Sequence, residues 1–122
     1  MRSAKKSAAP VLKTRFRILR GADVALGPGK VELLSLIAET GSIAQAATRM
    51  EMSYMRAWTL VQQMEQCFRE PLLHRQRGGA ARGGAQLTPF GARVLELYQA
   101  MEAAALRATR KPWEELQQKL RP

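Results

Sequence analysis

The segment RQRGGAARGGAQ, residues 75–86, carries three arginines and four glycines and contains no carboxylate. Arginine stays charged at physiological pH, and its fork of donors matches phosphate oxygens. Glycine lets a loop adopt backbone angles that other residues resist, and it lets the backbone approach another surface closely. We therefore predict that Arg75, Arg77 and Arg82 contact the backbone or a narrow minor groove of a nucleic acid. A flexible, solubilising loop is the alternative interpretation.

A second set of side chains suited to recognition lies between residues 53 and 66. At 100° per residue, a helix here turns Ala57, Val61, Met64 and Phe68 inward, with Leu60 beside them. The opposite face carries Met55, Thr59, Gln62 and Gln66, flanked by Tyr54 and Trp58 on one side and by Arg56 and Gln63 on the other. In a major groove, arginine pairs with guanine and glutamine with adenine. A solvated polar face is the alternative; the predicted DNA contacts are Ser53, Tyr54, Met55, Arg56, Thr59, Gln62 and Gln63.

Catalytic chemistry finds little support in the sequence. His74 is the only histidine, and no acid or nucleophile adjoins it. Together with Cys67 it supplies two metal ligands, whereas a structural zinc site takes about four. We therefore predict no catalytic residue, no metal site and no cofactor, in a protein that is not an enzyme. The glutamates that stand singly on predicted helix faces, and that we expect to be solvated, are Glu32, Glu39, Glu65, Glu70, Glu96 and Glu102.

The overall charge also favours a polyanionic partner. Of 122 residues, 20 are Lys or Arg and 10 are Asp or Glu, which gives a formal net charge of +10 and a pI near 10.9. Nucleic acid is the first candidate and an anionic membrane surface the second. No apolar run approaches the roughly 18 residues of a membrane span, and no secretory signal follows the basic start. The single cysteine fits a reducing compartment, so we expect a cytoplasmic, nucleoid-associated protein without membrane contact.

Helix signals dominate the middle of the chain. An apolar stripe at helical spacing begins at Lys30 and stops at Gly41, which is in the usual place for a left-handed C-cap. Ser42 starts another helix at once, with a glutamine three residues later as in a capping box. After a short turn, Ser53 caps a third helix that runs to about residue 68. Helix, tight turn and helix make a helix-turn-helix motif.

Short strands are predicted on both sides of this motif. Residues 14–20 alternate between apolar and basic side chains, which indicates a half-buried strand, and residues 21–29 are predicted to be a turn-rich connection. Residues 72–76 and 85–88 are strand-like and enclose the glycine-rich loop. A hairpin directly after a helix-turn-helix is a wing, here with its tip at residues 77–84.

The last predicted element is a long helix that begins after Thr88 as N-cap, with Pro89 at its first position. Extending to about Lys111, it has 23 residues and a length of about 35 Å. One domain core cannot cover so long an apolar stripe, so we expect a homodimer through residues 89–111; an exposed or self-folded tail is the alternative. One ridge of the stripe comprises Phe90, Val94, Leu97, Tyr98, Met101 and Ala105, widened by Ala103, Ala104 and Leu106.

These segments carry a resemblance to a known family. GSIAQAA, the pairs Ser53–Tyr54 and Ala57–Trp58, and the glycine-rich loop before LTPFG resemble the N-terminal winged-helix domain of ModE-type molybdate-responsive regulators. That domain is a relative of the LysR-type DNA-binding head, and the likeness runs from about Thr14 to Met101. It implies transcription regulation in bacteria or archaea by a dimer. About 21 residues follow Met101, too few for the family's oxyanion-binding modules, so we expect no molybdate-binding module in this chain.

The expected fold is mainly α with a small β-hairpin, a winged helix-turn-helix with a long C-terminal dimerisation helix. Residues 1–13 form a basic disordered tail, residues 14–88 the DNA-binding domain, and residues 89–122 the C-terminal helix. The expected function is sequence-specific regulation on double-stranded DNA, with helix 53–68 in the major groove and the wing at 77–84 on the backbone or minor groove. An architectural protein of weak sequence specificity is the alternative, and an interaction adaptor that has lost its operator is a third possibility.

Overall fold

The computed structural model describes residues 9–75 and 84–122. Contacts group the described residues into two compact units: residues 15–99, interrupted at 76–83, and residues 9–14 with 100–122. The predicted wing contacts Arg77 and Arg82 lie outside the described residues, as do residues 1–8 of the predicted tail. Residues 9–13 have no regular secondary structure, and Leu12 among them is half-buried.

Five helices and two antiparallel strand pairs make up the described chain. In order these are β1 (Ile18–Arg20), β2 (Asp23–Leu26), α1 (Pro28–Thr40), α2 (Ile43–Arg49), α3 (Tyr54–Cys67), β3 (Leu73–Arg75), β4 (Ala85–Leu87), α4 (Pro89–Ala108) and α5 (Arg110–Gln117). β1 pairs with β2, and β3 pairs with β4. The predicted fold class, a mainly helical winged helix-turn-helix with a small hairpin, is confirmed.

The first strand pair corrects the sequence prediction. We predicted one strand over residues 14–20 and a connection over 21–29, but β1 covers only its last three residues and β2 lies inside the connection. Gly21 has φ of 62° in the two-residue turn that joins Arg20 to Asp23, its partner across the sheet. Left-handed backbone of this kind suits glycine and permits a tight hairpin. A four-residue strand is too short for its alternation to stand out in the sequence.

The predicted helix caps are present in the helix-turn-helix. Gly41 has φ of 72° and donates its backbone N–H to the carbonyl of Ile37 at 2.8 Å. The Ser42 hydroxyl accepts the N–H of Gln45, and the Ser53 hydroxyl accepts the N–H of Arg56, both at 3.1 Å. Each cap satisfies a backbone group that the helix itself leaves unpaired. These caps fix where α1 ends and where α2 and α3 begin.

The core of residues 15–99 lies where α1, α2 and α3 cross. Ala57, Val61 and Met64 of α3 are fully buried, as predicted, and Phe68 is partly buried against the same cluster. Small side chains at α2 allow the neighbouring helices to approach closely, because Ala46 and Ala47 are both buried. The core therefore sets which face of α3 remains outside. Other fully buried members include Leu26, Leu33, Leu34, Ile37, Ile43, Leu72 and Tyr98.

The start of α4 is held against the strand that leads into the wing. The Thr88 hydroxyl accepts the N–H of Gly91 and donates to the carbonyl of Pro71, both at 2.8 Å, which confirms Thr88 as N-cap. Gly91 lies so close to Leu72 that a Cβ atom at residue 91 would overlap the Leu72 carbonyl. Only glycine fits this crossing without a shift of backbone.

Two features of α4 differ from the prediction. The helix has 20 residues and ends at Ala108, and α5 begins at Arg110 with Pro112 in its first turn. Proline lacks the N–H that would bond to residue 108, and its ring crowds that carbonyl, so it fits the start of a helix better than its interior. Tyr98, predicted to lie on the dimer ridge, is instead 1% exposed. Its hydroxyl donates to the Phe16 carbonyl at 2.7 Å, which ties it to its own core.

Candidate nucleic-acid interface

The exposed face of α3 carries the residues predicted to contact DNA. Ser53 stands at its N-cap, and Tyr54, Arg56, Thr59 and Gln63 are exposed on it, while Gln62 is half-buried. Met55 is 64% exposed, so an apolar side chain lies among the polar ones on this face. The first two turns of α3 thus present polar, cationic and apolar groups together.

One flank of α3 is attached to the first strand of the wing. The Arg75 guanidinium lies 6.0 Å from the centre of the Trp58 ring and 3.5 Å from a carboxylate oxygen of Glu65. Both distances fit attraction, cation–π in the first case and an ion pair in the second. The segment around Arg75 contains no carboxylate, but the fold places Glu65 of α3 beside it. Arg75 thus links β3 to α3 through two side chains.

Glu65 itself was predicted to be solvated, and that prediction is wrong. Its side chain is 19% exposed, and its Oε2 accepts the backbone N–H groups of Leu72 at 2.9 Å and Leu73 at 3.0 Å. A carboxylate that accepts two backbone N–H groups makes strong, charge-assisted hydrogen bonds. Glu65 therefore fixes the start of β3 against α3. Helical periodicity places it beside the inward face, but only the chain reversal after residue 68 supplies its partners.

The base of the wing is fixed on its other strand as well. β3 and β4 pair with Leu73 opposite Leu87, His74 opposite Gln86 and Arg75 opposite Ala85. The backbone N–H of Ala85 donates to the carbonyl of Gly41 at 2.9 Å, next to a bridge between Ser42 and Gly84. The loop that joins α1 to α2 thereby holds the strand that returns from the wing tip. His74 is exposed on β3.

The opposite flank of α3 borders a cleft that we call the hairpin cleft. It is lined by Arg17, Lys30 and Arg56, together with Leu60 and Gln63 of α3. Sequence reasoning assigned no role to Arg17 or Lys30, because they lie 13 residues apart and only the β1–β2 hairpin brings them beside α3. The one sequence signal for this cleft was that Arg17 lies on the outward, basic face of the alternating segment 14–20.

Two further properties of the described part of the chain bear on metal binding and on membrane insertion. Within residues 9–75 and 84–122, no group of three or more His, Cys, Asp or Glu side chains is arranged to hold a metal ion. Over the same residues, each helix is too short or too polar to cross a bilayer.

Known proteins resemble this chain in sequence. Residues 29–92, just over half of the chain, match the family of bacterial regulatory helix-turn-helix proteins of the lysR type. The molybdenum-pterin-binding protein MopB of Rhodobacter capsulatus is 40% identical over 86 residues, which are 70% of this chain and 32% of that protein. The molybdenum transport protein ModE of Azotobacter vinelandii is 40% identical over 93 residues, which are 73% of this chain and 34% of that protein.

A third relative is the DNA-binding transcriptional dual regulator ModE of Escherichia coli strain K12. It is 41% identical over 71 residues, which are 58% of this chain and 27% of that protein. The chain thus spans about a third of the length of the relatives it matches. The predicted resemblance to the helix-turn-helix domain of ModE-type regulators is confirmed. The matched residues contain α2, α3, the described wing strands and all of α1 except Pro28. The chain belongs to the lysR family of bacterial regulatory helix-turn-helix proteins.

Proposed function

We propose that this chain is a sequence-specific, double-stranded-DNA-binding transcriptional regulator that inserts α3 into the major groove. The observation that carries the proposal is the outward face of α3, polar and cationic at its N-terminal end, in a chain of the regulatory helix-turn-helix family. A recognition helix presents its N-terminal residues to base edges in this way. The net charge of +10 supplies attraction to any DNA.

Particular side chains of α3 suit particular contacts. Arg56 in the first turn matches the two acceptors of guanine, and Gln62 or Gln63 matches adenine. Thr59 offers a hydroxyl and a methyl group, and exposed Met55 offers apolar contact to a thymine methyl. Tyr54 beside the N-cap is placed to reach a phosphate.

The wing adds contacts to the DNA backbone or minor groove in this proposal. Arg75 stands at its base, and Arg77 and Arg82 belong to the segment between β3 and β4. Support comes from the base of the wing, which is fixed to α3 through Glu65 and to the α1–α2 loop through Ala85. A wing held at both strands restricts where its arginines can reach.

A homodimer through α4 is part of the proposal. Leu97 and Met101 of α4 are 47% and 45% exposed, and a second copy of the helix would cover them. Phe90, Val94 and Tyr98 of the predicted ridge pack against their own core instead, so the proposed contact is narrower than the predicted one. Two-fold pairing would place two recognition helices about 34 Å apart, or a multiple of that distance, on a near-palindromic operator.

Selection of binding sites from a random duplex pool tests the function. We expect enrichment of a near-palindromic motif that the protein binds at least about 10³-fold more tightly than random DNA at physiological salt. An enriched pool bound no better than random DNA would favour the architectural alternative, in which charge supplies most of the affinity.

The proposed sequence-specific regulator would act in the bacterial cytoplasm, on the nucleoid.

The effector is a separate part of the proposal. The names of two relatives refer to molybdenum, but the matched region is about a third of each, so we assign no molybdate site to these 122 residues. Calorimetric titration of the chain with molybdate and tungstate tests this assignment. A stoichiometric site with a Kd below about 1 μM would overturn it.

A further inference from the structure

The hairpin cleft combines three cations with an apolar floor. Its volume is about 420 Å³, and it brings together Arg17 just before β1, Lys30 in the first turn of α1 and Arg56 in the first turn of α3. Among the described residues, no carboxylate lines it. The apolar side chains between the cations are Val24, Met50, Met52 and Leu60.

The fold fixes one of these cations and places a second one beside it. The Lys30 ammonium donates a hydrogen bond to the Val24 carbonyl of the neighbouring strand, which leaves further N–H groups for a ligand. The aliphatic part of Arg17 lies beside Gly27. The Cγ of Arg17 is 3.8 Å from where a Cβ would stand if residue 27 had a side chain. The three ion pairs found among residues 9–75 and 84–122 involve other cations. The positive charge of the cleft is therefore available to an anion.

The position of the cleft relative to α3 indicates which anion it binds. A helix in the major groove has a phosphate backbone along each of its two sides, because the groove is only about 12 Å wide. Trp58 and Arg75 mark the flank of α3 that faces the wing, and Arg56 and Gln63 mark the flank that faces the cleft. A backbone on the second flank passes the opening of the hairpin cleft.

We propose that Arg17 and Lys30 bind a backbone phosphate of DNA on the side of α3 opposite the wing. This inference rests on the proposed function and adds a second backbone contact, built from the β1–β2 hairpin and the start of α1. Two backbone contacts, one on each flank, fix the rotation of α3 about its own axis. That rotation decides which of its side chains meet base edges.

Salt dependence of binding tests the assignment. The double variant Arg17→Gln, Lys30→Gln is compared with the natural chain on two probes, a random 30-base-pair duplex and the duplex pool enriched by the natural chain. We expect the log–log salt slope to be shallower by about 0.9 per subunit, because the two cations share one phosphate contact. At 0.15 M salt this corresponds to about fivefold weaker binding per contact, on both probes alike.

Three further variants separate this effect from a loss of net charge and from a loss of fold. The variant Arg93→Gln, Lys119→Gln removes the same charge from positions that do not line the cleft, and we expect its slope to stay near that of the natural chain. Arg17→Lys, Lys30→Arg keeps the charge and is expected to keep the slope. Arg17→Gln alone, at an exposed residue, is expected to keep the melting temperature while weakening binding to both probes.

The outcomes distinguish failure of this inference from failure of the proposed function on which it rests. If the natural chain binds DNA but the double variant has the same salt slope, the cleft assignment is overturned and the proposed function is not. A loss confined to the enriched pool also overturns it, since it indicates base contacts. A natural chain that binds neither probe overturns the proposed function as well.

Discussion

Removal of the Glu65 carboxylate is expected to loosen the junction between α3 and the wing. In the variant Glu65→Ala, the N–H groups of Leu72 and Leu73 lose an acceptor that stands 2.9 and 3.0 Å away. A hydrogen bond to a charged group contributes about 1.5–3 kcal/mol. The side chain is 19% exposed, so water replaces part of the loss, and we expect the free energy of unfolding to fall by about 2–4 kcal/mol.

Two milder variants divide this effect into its parts. Glu65→Gln keeps an acceptor oxygen and loses the charge, so the expected cost is about 1–2 kcal/mol, between the neutral and the charged hydrogen bond. Arg75→Gln leaves both backbone hydrogen bonds in place and removes a partly exposed ion pair at 3.5 Å. Such pairs contribute about 0–1 kcal/mol, so this variant is expected to be the least affected.

Urea unfolding followed by tryptophan fluorescence measures the order of these three costs. The chain has two tryptophans, and a Trp113→Phe background restricts the signal to Trp58, which adjoins Arg75. Equal m values across the series show that each variant exposes the same amount of surface on unfolding. A shift of the urea midpoint then reports a change in stability alone. A Glu65→Ala variant within about 0.5 kcal/mol of the natural chain, the range usual for surface substitutions, would refute the role assigned to the carboxylate.

Three further predictions concern packing, base reading and assembly. Gly91→Ala is expected to destabilise the chain by about 1–3 kcal/mol, because the added methyl group overlaps the Leu72 carbonyl; thermal melting measures this, and an unchanged melting temperature would contradict the close crossing. Arg56→Ala is expected to relax base preference at one position of each half-site at a cost of about 1–3 kcal/mol, whereas uniform weakening in a repeated site selection would make Arg56 a phosphate contact. Leu97→Glu with Met101→Glu is expected to convert a dimer into a monomer in light scattering at micromolar concentration, and a monomer mass for the natural chain would exclude the proposed interface.

Local signals in the sequence were enough to predict the helix-turn-helix. Gly41, Ser42 and Ser53 act on backbone groups within four residues of themselves, so the sequence contains both partners of each cap. The inward face of α3 follows in the same way from helical spacing, and Ala57 and Val61 are fully buried. The fold class and the outward face of α3 were therefore predictable without knowledge of the tertiary structure.

The features that sequence reasoning missed depend on partners far away in the chain. Glu65 looks solvated until the chain reverses and brings two backbone N–H groups to it. Tyr98 fits an apolar ridge until its hydroxyl meets the Phe16 carbonyl, 82 residues away. Arg17 and Lys30 line one cleft only because β1 and β2 form a hairpin. Periodicity identifies a face of a helix, but it does not identify what the face meets.

The three ion pairs among the described residues differ in how firmly they hold their arginines. Arg49 pairs with Glu39 at 2.8 Å, and Arg93 pairs with Glu96 at 3.2 Å. Both pairs lie on exposed surface. Arg75 differs from them, because its carboxylate partner is already engaged by two backbone N–H groups and its own contact is longer, at 3.5 Å. The carboxylate stays satisfied if the guanidinium leaves, so a phosphate can compete for Arg75 at little cost in stability. Glu65 thus positions the wing through its backbone bonds, and in the proposed DNA complex Arg75 exchanges a weak ion pair for a phosphate.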